Sequence, residues 1–246
     1  MTHVAEFYDQ RVERQLQVAF NERHLSLRRK LRSQGLGADA KVLEVGCGIG
    51  VMTALMAEVV RRGTIVAFDL SPGSIEVARA FNRGSAQVRF AVADARTVEL
   101  DTSAAPFDFI VLLDILEHIP REAHPQVFAR LRQLSDERTV VAINIPSPQY
   151  QRWQHEHDRS ALQVIDQALD TDALLADLYA ADFVLDRFET YDVWRRDEYQ
   201  FLAARVRAPY RPGPPAPFRR SVRERLRGLA RRYRLSRLLA ELRAER

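Results

Sequence analysis

The chain has 246 residues, 46% hydrophobic and 28% charged, enough for one substantial core and typical of a globular protein rather than a disordered one. Its net charge of +4 is uneven: residues 219–246 hold eleven arginines against three glutamates, so the remainder is net acidic, which argues against a catalytic body built to track a nucleic-acid backbone. One cysteine excludes an internal disulfide or a cysteine-rich zinc cage, and a polar N-terminus with no apolar run of membrane-spanning length predicts a cytoplasmic protein.

Residues 1–37 read as a helical N-terminal cap, with apolar positions from Val4 to Leu31 scattered among charges before Gly35 and Gly37 break the pattern. Within it, Phe7-Tyr8-Asp9 reads either as part of a sheet-edge cap or as a lid whose Tyr8 touches cofactor or substrate. Val42, Leu43 and Val45 then give the apolar run of a covered parallel strand, followed by Gly46, Gly48 and Gly50 and by a helix expected over Thr53–Arg62, stopped by Gly63. Glycines let a backbone approach a ligand closely. The spacing is G-x-G-x-G, with Val51 where a dinucleotide fingerprint would carry its third glycine, and Glu44 would repel a pyrophosphate but welcome a cationic amino-acid ligand. Cys47, inside the turn, reads as a small close-packed filler.

Thr64–Leu70 is the second expected strand, and Asp69, 23 positions after Gly46, is placed to accept hydrogen bonds from ribose hydroxyls. Ser71 caps the next helix with Pro72 at its first position, and Ile75, Val77, Ala78 and Phe81 supply its inner face. Gln87–Ala93 is a third strand ending at Asp94-Ala95, where Asp94 either meets an adenine amino group or merely caps a loop. Phe107–Leu113 is a strongly apolar central strand that ends at Asp114 and leads into Ile115-Leu-Glu-His-Ile-Pro120.

Taken together, Val42–Gly50, Phe68-Asp69 with Ser71, Ala93-Asp94-Ala95, and Phe107-Asp108 through Leu116-Glu117-His118-Ile119 resemble the class I S-adenosylmethionine-dependent methyltransferases, in that family's motif order. The resemblance covers about residues 38–148 and extends to about residue 207 through the later strands. It implies a Rossmann-like doubly wound α/β sheet, mostly parallel with one antiparallel C-terminal strand, and S-adenosyl-L-methionine as cofactor. Glu44, Gly46, Gly48 and Gly50 would surround the methionine part, Asp69 the ribose, Asp94 and Ala95 the adenine, and Asp114 the floor near the methionine end, with Cys47 and Leu70 lining the same site.

Thr139–Ile145 is a fifth strand, preceded by an amphipathic helix over about residues 125–134. Residues 150–158, with a helix near Ala161–Leu169, read as an insertion over the substrate mouth, and Asp172–Ala181 as another helix. Phe183–Val193 and Glu198–Val206 alternate as an antiparallel hairpin closing the sheet. The catalytic domain therefore spans residues 38–208. Five prolines make 209–217 a linker, and 218–246 reads as a basic amphipathic helix. That tail either packs on the domain or a second subunit, or docks peripherally on an anionic inner membrane surface, with RNA a third reading.

A sulfonium methyl is already activated, so such an enzyme mainly aligns an incoming lone pair; a hydroxyl acceptor also needs a base. His118, just past the central strand, is the first candidate, against a purely local structural role, and His155 and His157 are the second. No metal is expected, because Glu117, His118, His155 and His157 lack a ligand spacing such as H-x-x-x-H. Asp114-Ile-Leu-Glu117 does not match the [DN]-P-P-[YF] of amine methylation on nucleic-acid bases, and no cysteine stands ready for attack on cytosine. A small-molecule acceptor remains: an oxygen of a sugar, glycan or secondary metabolite first, a nitrogen second. A non-catalytic module with the same fold and an NAD-dependent oxidoreductase are the rival classes, the latter weakened by the glycine spacing.

Overall fold

The structure is a computed structural model that describes residues 20–97, 105–158 and 165–209. Contacts divide the chain into Met1–Ala208 and Pro209–Arg246. Tyr8, the rest of residues 1–19, and the linker and tail from residue 210 onward lie outside the described residues.

Seven strands form one sheet: β1 Lys41–Val45, β2 Thr64–Asp69, β3 Val88–Val92, β4 Phe107–Leu113, β5 Ser135–Pro146, β6 Phe183–Tyr191 and β7 Tyr199–Val206, in the order β3-β2-β1-β4-β5-β7-β6. The pairs from β3 to β5 are all parallel, whereas β7 runs antiparallel to both β5 and β6, so one strand is reversed. The apolar residues of the central strands alternate between two cores. Leu43, Ile110, Leu112, Val141 and Ile143 face one layer with Phe128 and Leu178; Val42, Phe109, Val111, Val140 and Ala142 face the other with Leu31, Met56 and Ile75. This is the two-sided burial that parallel strands require. Helices α1 Glu22–Ser33, α2 Val51–Ala57 and α3 Pro72–Phe81 cover one face, and α4 His124–Gln133 and α6 Thr171–Ala180 the other. α5, Pro148–His157, follows β5.

Three local expectations are corrected. α2 ends at Ala57 instead of Arg62: Val59 N closes a tighter turn on Met56 O at 2.9 Å, Val60 is fully buried, and Arg62 N and Gly63 N donate to Ala38 O at 2.8 and 2.9 Å, off the helix. Gly63 is not a helix stop: a Cβ there would lie 2.0 Å from the Ala40 carbonyl oxygen, so glycine is what lets the chain pass the start of β1. Phe81 is 60% exposed, and the inner face of α3 is made by Ser74, Ile75 and Ala78. In the segment expected as a helix over 161–169, residues 165–169 are irregular and the preceding ones lie outside the described residues. The N-cap Ser71 does accept from Ser74 N at 2.9 Å, with Pro72 opening the helix.

Candidate functional site

In an open α/β sheet, ligands gather outside the carboxyl ends of the strands where the strand order reverses. Here that point lies between β1 and β4, at Gly46 and Asp114. Gly46, Gly48 and Gly50 all have positive φ, at 70°, 52° and 81°. A Cβ on Gly46 would come within 2.5 Å of the Ile115 side chain, and one on Gly50 within 2.7 Å of Asn82 Nδ2, so the loop is pressed against its own fold as well as shaped for a ligand. Gly46 N and Cys47 N donate to Phe68 O, at 2.8 and 3.0 Å.

Asp69 is the brace between the two loops. Its Oδ2 accepts from Gly48 N at 2.8 Å and its Oδ1 from Ser71 N at 3.0 Å. Leu70 follows, half-buried, at the tip of β2. Glu44 is buried beneath the loop and accepts from Thr53 Oγ1 at 2.5 Å. Burial pushes its carboxyl up to about 8 against that hydrogen bond, with nearby Asp69 pushing the same way. Cys47 is buried, and its thiol is held well above the usual range by burial and by the charges of Glu44 and Asp69, so it is no nucleophile.

Asp94 stands past the end of β3, and Ala95 packs against the core. The Asp94 carboxylate is gripped by Arg96, whose Nε donates to Oδ1 and Oδ2 at 3.0 Å each and whose Nη2 donates to Oδ2 at 2.5 Å. Any ligand amine reaching Asp94 competes with that guanidinium.

Asp114 anchors a network that sequence reasoning missed. It adopts a φ of 58° and pairs with Arg23 of α1 at 2.7 Å, while its Oδ1 accepts from Asn144 Nδ2 at 2.7 Å. Tyr191 OH donates to Asn144 Oδ1 at 2.7 Å, and Arg23 also donates to Tyr199 OH at 3.3 Å. Burial opposes the Arg23 charge, but Asp114 and Tyr199 more than offset it and hold the guanidinium firmly protonated. Burial also raises the Tyr191 and Tyr199 phenols, which stay neutral. The missed signal was Asn144, a fully buried amide within the apolar run of β5. Nothing near Arg23 in the sequence marks it.

Beyond β4 the chain makes a 3-10 turn over Leu116–His118. His124, fully buried, faces the carbonyls of Leu116 and Ile119 with Nε2, each at 3.0 Å. Both partners are acceptors, so Nε2 carries the proton and clamps the turn. Gln167 N donates to Glu117 O at 3.0 Å, and Gln167 Nε2 to Ile119 O at 2.8 Å, which lays residues 165–167 alongside. His118 Nδ1 meets Ile165 O at 2.7 Å; in the neutral ring the proton must sit there, and Nε2 carries the lone pair. Glu117 is buried with Oε1 4.0 Å from His118 Nε2, and burial, with Asp114 nearby, drives its carboxyl well up. His155 and His157 lie on α5. His157 donates from Nδ1 to Trp153 O at 2.9 Å and stacks on Trp153, with its side chain exposed. No group of three or more His, Cys, Asp or Glu among the described residues could hold a metal ion.

The fold, with its glycine loop and acidic strand tips, is that of the class I S-adenosylmethionine-dependent methyltransferases. Residues 42–138 match the family described as "Methyltransferase domain". Over 81 residues the chain is 37% identical to a malonyl-[acyl-carrier protein] O-methyltransferase of Paenibacillus sp. (strain JDR-2), a match covering 32% of this chain and 29% of that protein. Over 86 residues it is 38% identical to a ubiquinone biosynthesis O-methyltransferase of Xylella fastidiosa (strain 9a5c), covering 34% and 33%. The match thus spans about a third of the length of these curated relatives. Among solved structures, the magnesium protoporphyrin IX methyltransferase of Synechocystis PCC 6803 with bound SAH aligns at TM-score 0.59 and 18% identity, over 76% of this chain and 82% of that one. The N-methyltransferase NodS of Bradyrhizobium japonicum WM9 aligns at 0.58 and 17%, over 75% and 94%. At such identities these two share the fold.

The family's cofactor is S-adenosylmethionine, and the residues present fit it. Asp69 and Asp94 suit a ribose diol and an exocyclic amine, and residues 44–51 contain no lysine or arginine to meet a pyrophosphate.

Proposed function

We propose that this protein transfers the methyl group of S-adenosyl-L-methionine to an oxygen of a small-molecule acceptor, a hydroxyl of a sugar, glycan or secondary metabolite. The observation that carries this reading is the pair of carboxylates, Asp69 and Asp94, around a positive-φ glycine loop at the strand-order switch. The printed names of both relatives above, O-methyltransferases, favour oxygen.

The cofactor supplies a methyl group already activated by its sulfonium. The protein's share is placement and proton handling. Asp69 holds the glycine loop from the tip of β2, where the ribose hydroxyls would reach it. Arg23 neutralises Asp114, so the floor of the site stays anchored to α1. His118, its Nδ1–H fixed on Ile165 O, receives the acceptor's proton at Nε2.

Calorimetric titration with S-adenosylhomocysteine tests the cofactor reading. Binding to the wild type is expected, weakened about tenfold or more in Asp69→Asn; undetectable wild-type binding ends the proposal. With an acceptor in hand, His118→Gln should lower kcat about a hundredfold while leaving the cofactor affinity unchanged. The basic segment 218–246, outside the described residues, we read as a self-association or membrane-attachment element. Among the described residues no helix is long and apolar enough to cross a membrane.

A further inference from the structure

Both tryptophans of this chain sit on one rim. Trp194 lies in the loop joining β6 to β7 and is 57% exposed; Trp153 lies on α5 and is 38% exposed. The guanidinium of Arg195 rests 4.9 Å from the Trp153 ring centre and ties the loop to the helix. Trp153 in turn stacks with Tyr150 and His157, at 6.1 and 5.1 Å and within 14° and 8° of parallel, so the support under the loop is a rigid column of rings.

The loop is fixed more firmly than an exposed turn needs. Glu198, buried, uses a single oxygen, Oε1, to accept from the backbone N–H of Val193 and Arg195 at 2.9 Å each and from that of Trp194. Asp197, at a φ of 52°, donates its N–H to Asp192 Oδ1 at 2.7 Å, and its carbonyl accepts from Ser147 Oγ at 2.7 Å. Ser147 N then donates to Glu198 O at 2.8 Å. A buried carboxylate under the loop and an exposed aspartate at positive φ each cost free energy and hold the indole in one place. It does pre-organise a stacking surface, which then loses little freedom when a ligand settles. The indole also continues the ligand edge: it meets Tyr199 edge-on at 6.5 Å, and Tyr199 leads through Arg23 to Asp114.

The rim's charges choose the occupant. Arg152, Arg195 and Arg196 are matched by Glu156, Asp158, Asp192 and Asp197, with Arg152 paired to Asp170 and Arg196 to Asp197, so no surplus of cations awaits a phosphate or an anionic lipid. Among the described residues of α5 and the loop, the large exposed apolar side chains are the two tryptophans alone, with no aliphatic surface to enter a bilayer. A flat aromatic face bordered by charged donors and acceptors suits a ring with an apolar C–H face and a hydroxylated edge. We propose that Trp194 is the stacking platform for a neutral sugar ring, so that the acceptor is a glycan or glycoside held between this rim and the methyl-transfer site. The inference rests on the methyltransferase reading and narrows its acceptor.

Because the chain has only these two tryptophans, intrinsic fluorescence reads the rim directly. The full-length protein and its Trp153→Phe variant, in which Trp194 is the sole indole, would be titrated with methyl glucoside, methyl mannoside, methyl rhamnoside and cellotetraose. Catechol and phosphatidylglycerol–phosphatidylcholine vesicles serve as rivals. A saturable saccharide response is expected in both proteins, with calorimetric affinity for the responding sugar about tenfold weaker in Trp194→Ala. Silence toward every saccharide, a response to catechol or vesicles alone, or undiminished sugar affinity in Trp194→Ala overturns the subsite. S-adenosylhomocysteine binding, measured in parallel, separates the two failures: its loss in the wild type sinks the methyltransferase reading, whereas its retention with sugar silence sinks only the platform.

Discussion

Glu44→Gln should stabilise the protein increasingly as pH rises. The Glu44 carboxyl is 3% exposed, and burial raises it from 4.5 to about 8, against the hydrogen bond from Thr53. Between about pH 5 and about pH 7.5 the unfolded chain ionises this group and the folded one does not, so the native state binds the extra proton and stability falls as pH rises. Each pH unit removes about 1.4 kcal/mol, or about 3 kcal/mol across the interval. Glutamine keeps an oxygen for Thr53 and cannot ionise. The variant should therefore roughly equal the wild type near the acid end and exceed it by about 3 kcal/mol at the alkaline end. Urea unfolding without cofactor, at half-unit pH steps, provides the check. Other groups add their own slopes: Glu117, raised by burial, acts in the same direction, and His24, lowered by burial to about 4, acts in the opposite one. They contribute alike to both proteins, so the difference curve isolates Glu44. Parallel curves would refute the buried, protonated carboxyl.

Arg23→Met and Asp114→Asn should each cost about 2 kcal/mol in urea unfolding, with a coupling of about 1–2 kcal/mol in the double mutant, since their side chains are only 23% and 18% exposed; additive single effects would show that the ion pair does no bracing. Arg96→Ala should tighten S-adenosylhomocysteine binding a few-fold, on the order of 0.5–1 kcal/mol, by freeing Asp94 for an amine donor, and weaker binding would make Arg96 a ligand contact instead. Gly63→Ala should lower stability by about 3 kcal/mol, read as a thermal shift, because its Cβ meets backbone oxygen rather than a side chain that can move.

The order of strands and helices, the glycine loop and the acidic strand tips were legible in the residues, because each depends on local chemistry. A continuous apolar run marks a strand covered on both faces, and Ser71-Pro72 caps a helix whatever surrounds it. Where packing overrode local preference, reading failed. The periodicity of Thr53–Arg62 continues past Ala57, but the core needed Val60, and Phe81 had the right spacing and found no partner. The Arg23, Asp114, Asn144, Tyr191 and Tyr199 network unites five distant segments whose proximity no spacing encodes. Likewise, Glu198 reads as an ordinary charged residue until the fold turns it onto three backbone N–H groups under Trp194. Sequence alone determined the class of fold and the chemistry at each strand tip, since these rest on bonds between near neighbours. Tertiary structure alone decided which carboxyl is buried and protonated, which is clamped by an arginine, and which indole stands exposed beside Tyr199, because those properties come from residues far away along the chain.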